Sequence, residues 1–192
     1  VSGNKIRQGR LQEEDWSKLS AGAQSLMRRN FWINDDATIT IDGIRRQARK
    51  WFYSHGIKVL FVDYIQRIYP TDPRLPKHQQ VADVTTGLKS LAKELGIPVI
   101  ALAQVNRECE KRDNKRPSMG DIADASIIEK EADMVMTIYR DEVYNPDTAD
   151  KGIAELGICK NRHGPIGKIR TAWDGATFRF ENLAPQYYEE GF

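Results

Sequence analysis

Val59-Leu60-Phe61-Val62-Asp63-Tyr64-Ile65-Gln66 is the stretch on which the fold turns. A continuous apolar run rich in β-branched and aromatic side chains reads as a strand buried on both faces. The run stops on the carboxylate of Asp63. Ligands of an open parallel sheet sit beyond the carboxyl ends of its strands, which puts Asp63 at the edge where chemistry happens. An acid in that place suits the Walker B role, orienting a magnesium ion on a nucleoside triphosphate. The alternative is a carboxylate that caps the next turn.

Downstream, Tyr69-Pro70-Thr71-Asp72-Pro73-Arg74-Leu75-Pro76 is too rich in proline to be anything but a loop. A helix is expected over Gln79 to Leu95, with Val81, Val84, Leu88, Leu91 and Leu95 on one face and Gly96 as its stop. Pro98 to Ala103 reads as a second buried strand, ending at Gln104. Strand, helix and strand make a right-handed βαβ unit. Upstream, Thr40 caps a helix through Ile44, Ala48 and Trp51-Phe52, with Gly56 as its stop. Phe31-Trp32-Ile33 is a short strand candidate before the turn Asn34-Asp35-Asp36. Gln12 to Met27 carries Trp16, Leu19, Ala23 and Leu26 as the stripe of an exposed helix.

Beyond Gln104, the charged segment Arg107 to Pro117 has no apolar periodicity and is expected as a mobile loop. Ile127 to Ala132 is a short helix or turn, and Asp133 to Tyr139 a third core strand. Asn145 to Asp150 is another polar loop. Ile153 to Lys160, Ile166 to Trp173 and Phe178 to Phe180 read as a β meander turning at Gly164-Pro165 and Asp174-Gly175. The expected class is α/β: a mainly parallel sheet flanked by helices, extended by C-terminal antiparallel strands. No repeat and no linker divides residues 1–192, which read as one domain.

The chain has 192 residues, 29% of them charged, yet a formal net charge of only +2. Any basic surface must therefore be local. Cys109 and Cys159 make no disulfide framework and have no zinc spacing, which favours a reducing compartment. No apolar segment has spanning length, and no signal peptide is expected. The chain opens on Val1 in a polar stretch and reads as a piece of something longer.

Several residues are candidates for chemistry. Gln104 leaves its strand beside Asp63, where an amide can hydrogen-bond a terminal phosphate, though a polar residue leaving a strand is ordinary. Lys160 and Arg162 alternate on a strand just before Gly164-Pro165, so both cations reach one target. Otherwise they form a solvated basic turn. Arg107, Lys111, Arg112, Lys115 and Arg116 crowd one loop against Glu108, Glu110 and Asp113. Such a loop either tracks nucleic-acid phosphates or is simply solvated.

The order and spacing of several motifs then carry a resemblance: Asp63-Tyr64-Ile65-Gln66, Leu91-Ala92-Lys93-Glu94-Leu95, Ala103-Gln104-Val105-Asn106-Arg107 and Lys115-Arg116-Pro117. Ile128-Glu129 with Ala132-Asp133, Tyr139-Arg140-Asp141-Glu142 and Lys160-Asn161-Arg162-His163-Gly164-Pro165 complete the set. Together they resemble the later two-thirds of the C-terminal RecA-like motor domain of DnaB-type replicative helicases, bacterial or phage, over nearly the whole chain. The resemblance implies ATP and Mg2+ as cofactors, with Asp63 as the Walker B acid reaching the metal through water. It makes Gln104 the phosphate-sensing glutamine, and Lys160 and Arg162 a finger pair inserted into the neighbouring subunit's ATP. The basic loop then contacts single-stranded DNA. The implied partners are further copies of the chain in a homo-hexamer, a primase and a helicase loader, in the cytoplasm of a bacterium or phage-infected host, with no membrane.

The sequence departs from the family in places. It contains no Gly-x-x-x-x-Gly-Lys-[Ser/Thr], the phosphate cradle that the family places upstream together with the glutamate that activates the attacking water. The isolated piece is therefore expected to be inactive. Asn161 and His163 replace the usual Gln and Asn. The second DNA loop, commonly Arg-Glu-Ser-Gly-Ser, reads Ala123-Asp124-Ala125-Ser126-Ile127, so no side-chain DNA contact is assigned there. A RecA-type recombinase shares the expected fold but not the Lys-Asn-Arg-x-Gly-Pro segment. A non-catalytic interaction module is the remaining alternative.

Overall fold

The structure is a computed structural model that describes residues 1–123 and 125–183. In chain order its helices are α1 (Gly3–Gln8), α2 (Glu13–Met27), α3 (Ile41–His55), α4 (Lys77–Leu95) and α5 (Ala125–Glu131). Its strands are β1 (Leu60–Val62), β2 (Val99–Ala101), β3 (Met134–Tyr139), β4 (Ile153–Asn161), β5 (Gly167–Asp174) and β6 (Arg179–Glu181). The chain forms two units: Trp32–Val135 with Cys159–Gly164, and Val1–Phe31 with Met136–Ile158 and the residues from Pro165. It crosses between them at Phe31–Trp32, inside β3, inside β4 and at Gly164–Pro165.

In the first of these units, β1 and β2 pair in parallel with Leu60 facing Val99, Phe61 facing Ile100 and Val62 facing Ala101. Helix α4 connects them, as the strand–helix–strand reading expects. The cap and stop of α3 are those expected from local chemistry. Thr40 Oγ1 accepts the Gly43 N–H at 3.2 Å, and Gly56 takes the left-handed conformation at φ 64° with its N–H on the Phe52 carbonyl. Val81, Val84, Leu88, Leu91 and Leu95 of α4 are buried, and with Ile41, Ile44 and Ala48 of α3 they pack on Leu60 and Val62. Burying each large aliphatic side chain contributes about 1.5–3 kcal/mol. At Gly87 the helices lie so close that an added Cβ would sit 2.4 Å from Ile41 Cγ1.

Three expectations need correction here. The apolar run of β1 implies burial on both faces, but only Leu60 and Val62 are buried; Phe61 is 61% and Ile100 46% exposed. Helices α3 and α4 cover one face of the strand pair, and apolar content alone does not say which faces find a cover. Phe31-Trp32-Ile33 is not a strand; Trp32 instead stacks on His55, with ring centroids 4.6 Å apart. The segment from Arg107, expected to be a mobile loop, opens with a 3-10 turn over Arg107–Lys111 that buries Cys109. One apolar side chain leaves no periodic signal, but it is enough to anchor a turn.

Strands β3 to β6 form a four-stranded sheet in that order, with β5 antiparallel to both neighbours. β3, expected as a third core strand, belongs to this sheet and buries alternate residues only, Val135, Thr137 and Tyr139. In the second unit, Asp15 closes the N-terminus of α2 by accepting the Gln12 N–H at 3.1 Å, and pairs with Lys5 of α1 at 2.9 Å. Trp173 of β5 lies against Phe180 of β6, ring centroids 4.7 Å apart, and under the Arg140 guanidinium at 4.8 Å. Of the stripe of α2, expected on an exposed helix, Trp16, Ala23 and Leu26 are exposed and Leu19 is half-buried.

Candidate functional site

Asp63 follows β1 directly, and its side chain is exposed. The next 3-10 turn, Ile65–Arg67, starts from Tyr64 and has no side-chain cap, so the carboxylate does not serve as one. Parallel hydrogen bonding runs past the strand ends: Leu102 N–H donates to the Val62 carbonyl at 2.9 Å and Ile65 N–H to the Leu102 carbonyl at 3.0 Å. Gln104, exposed two residues further on, thus leaves the carboxyl end of the same strand pair as Asp63. This is the sheet edge at which α/β proteins bind ligands.

A single exposed carboxylate matches the way magnesium is held in nucleotide sites, by one or two carboxylates, waters and the substrate's phosphates. Among the described residues no group of three His, Cys, Asp or Glu side chains forms a cage that would hold a metal without those phosphates.

Gln104 is tied to a segment far along the chain. Its carbonyl accepts the Ala123 N–H at 3.1 Å, and its own N–H donates to Gln66 Oε1 at 3.1 Å. Gln66 Nε2 in turn reaches the Ala123 carbonyl at 3.4 Å. Next to this junction Val105 bridges Ile122, and Asn106 N–H donates to the Asp121 carbonyl at 2.7 Å. The basic loop is therefore an excursion closed at its neck. Within it Lys111 pairs with Glu108 at 2.7 Å, Arg112 with Asp121 at 2.6 Å, and Lys115 donates to the Arg112 carbonyl at 3.2 Å. Arg107 is exposed, while Lys115 and Arg116 are half-buried. The Ser118 backbone N–H and hydroxyl, then Arg112, hold the Asp121 carboxyl below its ordinary value. Of the second DNA loop, Asp124 lies outside the described residues.

Lys160 and Arg162 do share a target, and it lies in their own chain. Lys160 Nζ donates to the Glu129 carbonyl and, at 2.8 Å, to that of Ala132. Arg162 donates to the Lys130 carbonyl at 2.5 Å and to the Asp133 carboxylate at 3.2 Å. These carbonyls end α5, where helical acceptors lack partners and the helix dipole favours cations. Asp133 also takes Lys89 Nζ of α4 at 2.5 Å, and that hydrogen bond, followed by the nearby Arg162 charge, lowers its carboxyl pKa. Reading the sequence does not single out Lys89, Asp133 or Gln66 for these contacts. Asp133 and Gln66 stand inside quoted motifs, but nothing local names their partners.

Solved structures with this fold define the class. The chain matches one described as an ATPase domain with TM-score 0.89 and 31% identity, over 96% of this chain and 66% of that one. It matches "The Structure Of A DnaB-Like Replicative Helicase And Its Interactions With Primase" equally well, over 45% of that chain. The fold is therefore that of RecA-like α/β ATPase domains. Residues 1–182 match the family described as DnaB-like helicase C terminal domain, and the chain belongs to that family. It is 39% identical over 191 residues to Replicative DNA helicase DnaB of Buchnera aphidicola subsp. Acyrthosiphon pisum (strain APS), covering 98% of this chain and 42% of that protein. It is 41% identical over 189 residues to the protein of the same name from Pasteurella multocida (strain Pm70), covering 97% of this chain and 40% of that protein. The chain thus spans about two fifths of the curated relatives' length. Among the described residues no helix is long and apolar enough to cross a membrane.

Proposed function

We propose that this chain is part of the motor of a hexameric replicative DNA helicase, which couples ATP hydrolysis to movement along single-stranded DNA and duplex unwinding. The observation that carries the reading is the pair Asp63 and Gln104, leaving the carboxyl ends of adjacent parallel strands in a chain of this family. Magnesium-bound ATP supplies the phosphoryl group and its electrophilic phosphorus. Asp63 orients the metal's water shell, and the Gln104 amide hydrogen-bonds the terminal phosphate. Arg162 stabilises charge on the neighbouring subunit's phosphoryl group, with Lys160 beside it. Arg107, Lys111, Arg112, Lys115 and Arg116 follow the phosphates of single-stranded DNA, an electrostatic contact that weakens with salt. Primase and a loader are the expected partners, in a bacterial or phage-infected cytoplasm.

Asp63→Asn in the full-length protein tests the reading. It keeps the shape of a side chain that caps nothing and removes its charge. Magnesium-dependent ATP hydrolysis should fall by about a hundredfold or more, as expected when electrostatic support of the transferred group is lost, while the melting temperature stays unchanged. Normal turnover at limiting magnesium would defeat the assignment.

A further inference from the structure

Gln66 closes the strand motif that holds Asp63, yet nothing in the proposed chemistry uses it. Its partly buried side chain stands between two segments distant in sequence. Oε1 takes the Gln104 N–H at 3.1 Å, and Nε2 gives to the Ala123 carbonyl at 3.4 Å. Those segments also hold each other directly, through Ala123 N–H on the Gln104 carbonyl at 3.1 Å. Gln66 thereby braces both sides of the neck from which the basic excursion leaves and returns. Its backbone is held as well, since Lys77 Nζ donates to the Gln66 carbonyl at 3.3 Å. A primary amide suits this place because one planar group accepts on one side and donates on the other. A carboxylate offers no donor to Ala123, and an aliphatic side chain offers neither bond.

We propose that Gln66 is a positioning residue that couples Gln104 to the neck of the basic excursion, so that loss of the terminal phosphate at Gln104 is felt by the loop that holds DNA. The inference rests on the reading of Gln104 and of that loop given above. A shift of Gln104 towards a phosphate carries its backbone with it. Through Gln66 and the direct bond to Ala123, both strands of the neck then move together instead of only the one that contains Gln104.

The test is hydrogen exchange on the full-length protein, comparing amides 104–123 with a non-hydrolysable ATP analogue and with ADP. Steady-state hydrolysis is followed alongside at saturating single-stranded DNA. In the unsubstituted protein, exchange at the neck amides should differ between the two nucleotides. Gln66→Met, which keeps length and loses both hydrogen bonds, should clearly reduce that difference on the Ala123 side of the neck, where only the direct bond to Gln104 then remains. It should lower DNA-stimulated kcat by about tenfold, the scale of the bonds removed, and leave KM for ATP within about twofold. A nucleotide-dependent difference that is undiminished in Gln66→Met overturns the proposal while leaving the Gln104 reading intact. No difference in the unsubstituted protein removes the Gln104 reading itself and this inference with it. If Gln66→Met loses protection throughout the chain, Gln66→Glu decides, since it keeps the acceptor for Gln104 and loses only the donor to Ala123. A difference reduced in Gln66→Glu supports the coupling, and a difference kept in full overturns it.

Discussion

Arg162 meets Asp133 twice: its backbone N–H donates to the Asp133 carbonyl at 2.9 Å, and its guanidinium to the Asp133 carboxylate at 3.2 Å. The first bond fixes where the chain leaves β4, and the second aims the side chain that follows. With Nη1 on Asp133 and Nη2 on the Lys130 carbonyl, the guanidinium still has further N–H groups to reach a target outside the chain. The exposed position of Arg162 keeps them accessible.

In a head-to-tail ring each interface joins two different surfaces, so Arg162 is expected to act on its neighbour's nucleotide. Arg162→Ala should cut hydrolysis by the full-length protein about a thousandfold, as for finger arginines generally, with nucleotide binding largely kept. Mixed with unsubstituted subunits it should poison the ring. Hydrolysis that simply scales with the unsubstituted fraction would place Arg162 in its own subunit's structure alone.

Asp133 should matter less in acid. Its carboxyl pKa is lowered from the ordinary 3.8, first by the Lys89 hydrogen bond. A carboxyl with a lower folded than unfolded pKa adds stability that is complete above the unfolded value and lost as pH falls through the folded one. With its side chain half exposed, the contribution is below about 1 kcal/mol. The gap in urea midpoint between Asp133→Asn and the unsubstituted protein should therefore be open at neutral pH. It should close as pH drops below 3.8.

Lys160 is expected to register in stability as well as in rate. Its ammonium satisfies the Glu129 and Ala132 carbonyls at the end of α5. Lys160→Met leaves those acceptors without their cation and should cost about 1 kcal/mol in urea unfolding. A rate defect with no change in stability would show that these bonds contribute nothing to the fold.

Gly87→Ala separates propensity from packing. On an exposed helix the change would stabilise by about 1 kcal/mol. Here the new methyl would meet Ile41 Cγ1 at 2.4 Å, against a buried side chain with little room to yield. Overpacking costs about 1–3 kcal/mol, so the net effect should be destabilising, read as a lower thermal midpoint. A raised midpoint would mean that α3 and α4 separate there without cost.

Local chemistry is enough to read much of this protein from its residues. The Thr40 cap, the Gly56 and Gly96 stops, the period of α4 and the two apolar runs ending at Asp63 and Gln104 depend on near neighbours, so the sequence carries them whole. The motif order also suffices to name the family. What tertiary structure alone decided is where distant groups meet and which faces are covered. Gln66 finds Gln104 and Ala123 across separations of 38 and 57 residues, and Lys160 and Arg162 find the end of α5 at separations of 28 and 32. An amide or a cation looks the same in sequence whichever acceptor it will find. Phe61 and Leu60 are likewise apolar neighbours on one strand. They differ in burial because alternate side chains point to opposite faces, and α3 and α4 pack on only one of them.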